Sequence, residues 1–366
     1  MFSFSTQFEN LGDCVINECL LKEVARYQHV LILGHRLPEW LVSRVTGKVT
    51  ICRSRMAFAS RVIQLLSSGQ PLSFLFKPGH MVCRKSFLGQ VRVAAVSAVM
   101  SLLSGLGCRV LRFGTSVDTY GPVERLAQSS LGKLHAAYGV RDLESLELAQ
   151  QLGITNACLT PDLAFMLPFT DSENARSEIA VSFRSRPWME GEGEQQLLSS
   201  VQRLASQFSL RPVVIEQVRF DRDVSDRMQR VLKSDIVRFE GTQESCDAVF
   251  GRYEHSKVLL SNRLHSLLFS WSRGAIPVPV VDRNSDRKII GLYDQYGLSD
   301  LVIDAESIGT LHSRVTQILT DAGSVRARLS SVFEREGRLL REILRKECSH
   351  VASNELCATA GAWSHT

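Results

Sequence analysis

The sequence lacks the cysteine spacings that mark a zinc site or a disulfide framework. Nine cysteines are scattered over 366 residues, and no two of them form a Cys-x-x-Cys pair. We therefore expect reduced thiols in a cytoplasmic protein. Residues 1–10 also lack the apolar core that a signal peptide carries, so no secretory leader is expected.

Long apolar runs and a strong charge bias are missing as well. The longest apolar run, Val91–Leu106, is interrupted by three serines, and it predicts a buried helix rather than a membrane span. The net charge of +5 is short of the clustered basic stripe of a nucleic-acid-binding protein. We therefore expect no nucleic-acid partner. An anionic ligand, or peripheral contact with the inner face of the cytoplasmic membrane, fits this charge.

What the chain does have is a regular alternation of short β-branched or aromatic runs with helical stretches. This alternation is typical of parallel βαβ units, and it lapses only near residues 167–174. It predicts an α/β fold with two Rossmann-like domains facing a cleft. The predicted segments are an N-terminal domain (1–168), a linker (169–177), a C-terminal domain (178–322), a helix packing across a domain face (323–347) and a disordered tail (348–366).

Several polar residues follow predicted strands, where open α/β sheets bind ligands, so the cleft is the expected place of a site. Asn10, Gly12 and Asp13 open a helix, where a glycine turn suits an anion, although plain helix capping explains them too. Arg141 follows a strand and Ser145 begins a helix. Arg141 suits a carboxylate or phosphate ligand and a surface ion pair equally well.

Arg263 and His265 follow another strand, and in extended backbone two residues that are two positions apart point to the same side. A fixed cation beside a titratable imidazole suits anion binding with proton transfer, and the apolar flanks favour function over helix capping. Lys288 either neutralises a phosphate or belongs to a solvated basic loop. Weaker candidates for the cleft are Arg184, which ends a predicted strand, and Lys77 and His80, which follow one.

Taken in order, these motifs resemble the polysaccharide pyruvyl transferase family over about residues 8–300. The motifs are Asn10-x-Gly12-Asp13, Arg141-Asp142-Leu143-Glu144-Ser145, Pro161-Asp162-Leu163-Ala164-Phe165, and Arg263-Leu264-His265 followed by Lys288. The family fold is similar to that of the GT-B glycosyltransferases. The resemblance implies an enzyme that moves the pyruvyl group of phosphoenolpyruvate, as a ketal, onto a sugar of a polysaccharide or its precursor, with no metal and no further cofactor.

The resemblance also implies roles for single residues. His265 would be the acid–base residue, Arg263 and Lys288 would act with it, and the donor site would contain Arg141, Ser145, Arg263, Leu264 and Lys288. Residues 74–80 and 113–122 depart from the family's glycine-rich patterns, and both regions are expected to face the acceptor. The acceptor therefore stays open, as a free, nucleotide-linked or lipid-linked saccharide.

Two other functions fit the same residues. A GT-B-like glycosyltransferase that uses a nucleotide sugar also needs an anion site between two α/β halves, although Arg141, Arg263, His265 and Lys288 suit a small trianion better. A non-catalytic polysaccharide-assembly protein would use the amphipathic last helix for membrane or partner docking. Failure to bind any phosphorylated small molecule would favour the second alternative.

Overall fold

The computed structural model of the chain describes residues 1–81, 87–118, 120–170 and 176–349. The chain divides into two compact units. Unit 1 contains Met1–Thr6, Ile16–Leu163 and the chain from Leu339 on, and unit 2 contains Gln7–Val15 and Ala164–Arg338. Each unit is an α/β structure built on a parallel sheet.

Unit 1 carries the first set of strands and helices. Its strands are β1 (Phe2–Ser3), β2 (Val30–Leu33), β3 (Val49–Cys52), β4 (Ser73–Phe76), β5 (Gly79–His80), β6 (Arg109–Ser116), β7 (His135–Val140) and β8 (Ala157–Leu159). The helices are α1 (Leu11–Tyr27), which begins in unit 2, α2 (Glu39–Arg44), α3 (Arg55–Ser67), α4 (Phe87–Gly105), α5 (Pro122–Lys133) and α6 (Leu143–Gln151). The sheet order is β3-β2-β1-β4-β6-β7-β8, and β5 pairs with the end of β6.

Unit 2 carries the second sheet. Its strands are β9 (Glu178–Ser182), β10 (Arg211–Glu216), β11 (Asp235–Arg238), β12 (Ser256–Ser261), β13 (Ile276–Val281) and β14 (Ile303–Asp304), in the order β11-β10-β9-β12-β13-β14. The helices are α7 (Glu192–Gln207), α8 (Arg222–Leu232), α9 (Gln243–His255), α10 (Leu264–Ser272), α11 (Arg287–Gln295), α12 (Leu311–Thr320) and α13 (Ala322–Cys348).

The core of unit 2 follows from its apolar strands. In β9, β12 and β13 the apolar side chains form near-continuous buried runs, as expected for parallel strands that are covered on both faces. Trp271, at the end of α10, packs edge-on against Phe165 and Phe333, and its indole N–H donates to the carbonyl oxygen of Leu329 at 2.9 Å. These contacts hold the first part of α13 in the core of unit 2.

The predicted alternation of strands and helices is present in both units, but strands β1 and β5 and helix α2 have no local pattern that predicts them. Strand β1 has two residues, too few for a visible pattern, yet it lies between β2 and β4 in the middle of the sheet. Its place in the sheet follows from pairing with strands that come later in the chain, which no local pattern encodes.

The two units differ from the predicted segments in three places. Residues 7–15 belong to unit 2, unit 2 resumes at Ala164 rather than near residue 178, and α13 belongs to unit 2 through Arg338 and to unit 1 from Leu339. Part of the predicted linker, residues 171–175, and the tail from residue 350 lie outside the described residues.

The prediction of a buried helix over Val91–Leu106 is wrong. Helix α4 covers this run, but only 17% of its apolar window Leu88–Gly105 is buried. The helix buries Ser97 and Met100 but exposes Val99 and Leu102, so its apolar residues do not form a buried face. Within the described residues, this helix alone is long and apolar enough to cross a membrane by length and composition, which the sequence analysis did not expect.

Candidate functional site

Four neighbouring strands of unit 2 are followed by charged residues at one edge of the sheet. Strands β10, β9, β12 and β13 lie side by side and are parallel, so their carboxyl ends meet at the same edge. Asp221 follows β10, Arg184 follows β9, Arg263 follows β12 and Asp286 follows β13. This edge is where open α/β sheets bind ligands.

The ends of β9 and β12 are locked together by buried polar groups. The side-chain oxygen of Asn262 accepts the backbone N–H of Arg184 at 2.8 Å, and the Asn262 amide donates to the Arg184 carbonyl oxygen at 3.0 Å. The Ser261 hydroxyl accepts the backbone N–H of Arg263 at 2.9 Å and donates to the carbonyl oxygen of Ser182. These bonds fix the backbones from which Arg184 and Arg263 project.

Two buried carboxylates form ion pairs with three arginines at this edge. The guanidinium groups of Arg184 and Arg186 both lie 2.5 Å from Oδ1 of Asp286, whose side chain has no exposed surface. Arg263 forms an ion pair with Asp221. We call Arg184, Arg186, Arg263, Asp221 and Asp286 the arginine cluster.

The arginine cluster has more cations than carboxylates and has unused hydrogen-bond donors. The Nε atoms of Arg184, Arg186 and Arg263 are buried and have no hydrogen-bond partner among the described residues. Burial lowers the pKa of Arg184. The positive charge of Arg186, and more weakly that of Arg263, lowers this pKa further, whereas the negative charge of Asp286 raises it. Burial also raises the pKa of Asp221, which Arg263 partly offsets. The cluster is therefore suited to an anion with several oxygen atoms.

The segment after β13 adds Lys288 and a third carboxylate. Lys288 is half-buried in the first turn of α11. Asp282 uses one carboxylate oxygen to accept the backbone N–H groups of Asn284 and Ser285 at 2.9 and 2.8 Å, and these bonds lower its pKa. The Asp282 carboxylate thus stabilises the turn that follows it in the chain.

His265 lies at the start of α10, beside Leu264, and is half-buried between the ring of Phe269 and Gly12. Its ring stacks on the buried ring of Phe269 with an angle of 16° between the planes and centroids 5.7 Å apart. On another side lies Gly12. A Cβ atom at residue 12 would overlap Nδ1 of His265 and stand 2.8 Å from its Cγ. Gly12 is therefore a glycine because the imidazole occupies the space of a side chain.

The segment Gln7–Val15 packs on unit 2 and brings Gly12 to His265. Asn10 forms an antiparallel bridge with Val218, and the backbone N–H of Leu11 donates to the carbonyl oxygen of Gln217 at 3.1 Å. The Asn10 side chain accepts the N–H of Gly12 at 3.0 Å. Asp13 is half-buried in the first turn of α1. The structure thus brings Asn10, Gly12 and Asp13 into the same unit as His265.

Arg141 and Ser145 lie in unit 1, in a buried network of their own. Arg141 donates to Asp162 and to the Ser116 hydroxyl, both at 2.8 Å, and this hydroxyl donates to Asp142 at 2.6 Å. Ser145 accepts the backbone N–H of Val117 at 2.9 Å. Both residues therefore serve the packing of unit 1, and their donor-binding role stays a prediction.

Lys77 and His80 also lie in unit 1, near the end of its sheet. Lys77 donates to the carbonyl oxygen of Ser5 at 2.8 Å, and Nε2 of His80 lies 3.5 Å from a carboxylate oxygen of Asp118. Strand β5 pairs His80 with Ser116, which holds Arg141. Their proposed contact with an acceptor stays a prediction.

The carboxylates that organise the arginine cluster were not predicted from the sequence. Asp221 lies five residues beyond β10, after a short turn, and Asp286 immediately precedes α11. Both positions look like ordinary helix-capping sites in sequence. A useful signal would have been a charged residue a few positions beyond the ends of β9, β10, β12 and β13.

Comparison with known proteins identifies a family. The family model described as "Polysaccharide pyruvyl transferase" matches residues 10–272, which is more than half of the chain. This range contains the arginine cluster except Asp286, as well as Gly12 and His265. No protein of curated function matches the chain.

Solved structures with a similar fold are distant in sequence. A glycosyltransferase from Rickettsia africae superimposes with a TM-score of 0.58 at 10% identity, covering 96% of this chain and 98% of that chain. The UDP-GlcNAc 2-epimerase from Neisseria meningitidis, bound to UDP-GlcNAc, has a TM-score of 0.53 at 13% identity, covering 94% and 98%. Another UDP-N-acetylglucosamine 2-epimerase has a TM-score of 0.58 at 12% identity, covering 96% and 97%. At these identities the likeness shows a GT-B-like fold and no more.

Proposed function

The chain belongs to the polysaccharide pyruvyl transferase family, and we propose that it transfers the pyruvyl group of phosphoenolpyruvate onto a saccharide as a ketal. One observation carries this proposal. In unit 2, an arginine cluster with excess positive charge lies on the same sheet edge as the segment that begins α10 with His265. An anion site beside a titratable imidazole suits a donor that is a trianion and needs a proton.

The arginine cluster supplies the donor contacts. Phosphoenolpyruvate carries a carboxylate and a phosphate, both of which accept paired hydrogen bonds from guanidinium groups. Arg184 and Arg263 have buried Nε donors that find no partner within the described part of the chain, so a bound anion would satisfy groups that are otherwise costly to bury. Leu264 lies between Arg263 and His265, and we assign Lys288 to the phosphate end. Arg141 remains a predicted contact from unit 1.

The reaction balances with the residues of the chain and the two substrates. Protonation of the methylene carbon C3 leaves C2 with oxocarbenium character. A sugar hydroxyl attacks C2, the C2–O bond to phosphate breaks, and a second hydroxyl closes the ketal ring. The two sugar hydroxyls together lose two protons. In the overall balance, one becomes part of the new methyl group and the other is carried by the released inorganic phosphate.

His265 is the residue that we assign to proton transfer. Gly12 lies against the Nδ1 edge of the ring, where a Cβ atom would overlap this nitrogen, and we assign Nε2 to face C3. General acid catalysis of this kind typically contributes about 10²–10⁴ in rate. The base that receives a hydroxyl proton is His265 after donation, Asp13 in the same unit, or Glu144 in unit 1.

The acceptor is a saccharide of a polysaccharide or its precursor. These residues do not specify the acceptor sugar or the positions of the ketal linkage. They also do not specify whether the acceptor is free, nucleotide-linked or lipid-linked. Lys77 and His80 are the predicted acceptor contacts. An acceptor on a lipid carrier would bring the enzyme to the inner face of the cytoplasmic membrane.

The test is the thermal stability of the protein with phosphoenolpyruvate, beside inorganic phosphate, pyruvate, UDP-glucose and GDP-mannose. A ligand at about 100 times its dissociation constant adds about 2.7 kcal/mol to the free energy of unfolding. We expect stabilisation by phosphoenolpyruvate that exceeds that by phosphate or pyruvate and that Arg263→Ala removes. Arg283→Ala, at an exposed arginine of the same unit, is the matched control. Stabilisation by a nucleotide sugar alone would replace the proposal with glycosyl transfer.

A further inference from the structure

Helix α4 exposes a continuous apolar stripe. Leu88, Val91, Val99, Leu102 and, just beyond the helix, Leu106 are between 47% and 71% exposed. With the exposed Ala95 they recur every three or four residues, which is one face of a helix. At about 1.5 Å per residue, the stripe is about 28 Å long. An exposed apolar face of this length marks a surface that meets a partner.

The neighbouring helices extend this apolar surface. Of the thirteen large apolar side chains that are exposed in the described part of the chain, nine lie on α3, α4 or α5 or directly after α4. Those outside the stripe include Met56 and Ile63 on α3 and Leu126 on α5, which are 82%, 65% and 71% exposed. We call the outer surface of α3, α4 and α5 the apolar face.

The topology places these three helices on one side of the sheet of unit 1. Helix α3 connects β3 to β4, α4 leads from β4 through β5 to β6, and α5 connects β6 to β7. All three connections progress in the same direction across a parallel sheet. Because such crossovers are right-handed, the three helices share a side, and α1 and α2 lie on the other.

The charges on the apolar face have one sign. Its exposed charged side chains, within the described residues of the three helices, are Arg55, Arg61, Arg92, Arg125 and Lys133. The acidic residue of these helices, Glu124, is buried. Helix α6 connects β7 to β8 in the same direction and therefore lies on the same side, beyond α5, where it carries the exposed acids Glu144 and Glu147. The surface thus pairs exposed Leu, Val, Ile and Met side chains with exposed cations.

We propose that the apolar face docks on an anionic bilayer, with the α4 stripe among the headgroups and the arginines on lipid phosphates. Apolar burial combined with attraction to anionic lipid is how interfacial helices bind membranes. A second copy of the chain fits less well, because two such faces would set cation against cation. Because α4 links strands of one sheet, it lies along the membrane surface rather than across it. This inference does not depend on the proposed reaction.

The test is co-sedimentation of the full chain with phosphatidylcholine vesicles that contain or lack phosphatidylglycerol. We expect binding to the phosphatidylglycerol vesicles that Val99→Glu weakens by about tenfold or more and Arg92→Gln by about fivefold. The matched control is Val231→Glu on α8 of unit 2, because Val231 is 50% exposed and Val99 is 52% exposed. This control should bind vesicles as the wild type does. Far-UV circular dichroism establishes that each variant is folded.

Three results would overturn the proposal. One is no binding of the folded wild-type chain to phosphatidylglycerol vesicles. The second is equal loss of binding in Val99→Glu and Val231→Glu. The third is a wild-type dimer in solution that Val99→Glu converts to a monomer, because the apolar face would then be an interface between copies of this chain.

Discussion

The imidazole of His265 stands in the space that a side chain at residue 12 would occupy. This contact joins the start of the chain to the start of α10, and both segments belong to unit 2. The glycine of the Asn10-x-Gly12-Asp13 motif is thus explained by close approach to a proposed catalytic group, and the helix start alone does not require it.

Gly12→Ala should disturb the position of His265. The new methyl group would overlap Nδ1, so the ring or α1 must shift, and a displacement of about 1 Å can cost about 10²-fold in turnover. We expect kcat to fall by about that factor while phosphoenolpyruvate affinity changes little. Gly323→Ala in α13, where a Cβ would have no neighbour within 4 Å, is the control. Unchanged turnover in Gly12→Ala would contradict a positioning role.

His265→Ala should separate binding from chemistry. We expect phosphoenolpyruvate to stabilise this variant as it does the wild type, while turnover falls by about 10²–10⁴. The arginine cluster does not include the imidazole, which is why binding should persist. The matched control is His255→Ala, at an exposed histidine at the end of α9. Normal turnover in His265→Ala would exclude the residue as the acid.

Asp286→Asn should destabilise unit 2, because it leaves Arg184 and Arg186 side by side without their carboxylate. We expect the free energy of unfolding in urea to fall by about 1–3 kcal/mol. Asp300→Asn breaks a more exposed pair with Arg328 and should cost about 0–1 kcal/mol. Inorganic phosphate should stabilise Asp286→Asn more than the wild type, since it replaces the lost charge. An equal decrease in the free energy of unfolding in the two variants would contradict the role of Asp286 in neutralising the arginine cluster.

His135 should make unfolding sensitive to acid. Burial first, and then nearby Arg112, lower its pKa from 6.5 to about 3, so the native protein holds this ring neutral. Below pH 6.5 the unfolded chain binds a proton that the native chain does not, and stability is lost as the pH falls from 6.5 towards 3. At pH 5 the loss is about 2 kcal/mol relative to pH 7. Urea unfolding at both pH values should show a smaller difference in His135→Asn, and His29→Asn serves as the exposed control.

Much of the fold was accessible from local sequence patterns. Strand β7 is accessible in this way, because the compact, mostly apolar run His135–Val140 ends directly before Arg141. Arg263 and His265 were recognised because they follow a buried strand, which puts them at the ligand-binding edge. These inferences need only the periodicity of a strand and the chemistry of its last residues.

What escaped the sequence analysis depends on long-range pairing. The residues around Gly12 in the sequence do not indicate that it contacts His265. Those around Asp286 do not indicate that it pairs with arginines that follow β9. The exposure of α4 was misjudged for a related reason. Hydropathy shows that a helix can be buried, whereas the packing of the whole unit decides whether it is.

The division of the chain has a consequence for how the protein is made. Residues 7–15 leave the ribosome early but pack on a unit whose remaining chain, Ala164–Arg338, is synthesised much later. Unit 1 also contains the last part of α13, from Leu339 onward. Domains that fold during synthesis do so as units, so neither unit can be completed before α13 has been made. We therefore expect nascent chains that stop short of α13 to expose apolar surface and to need chaperones, and a fragment that starts at Ala164 to lack the backbone that shapes the surroundings of His265.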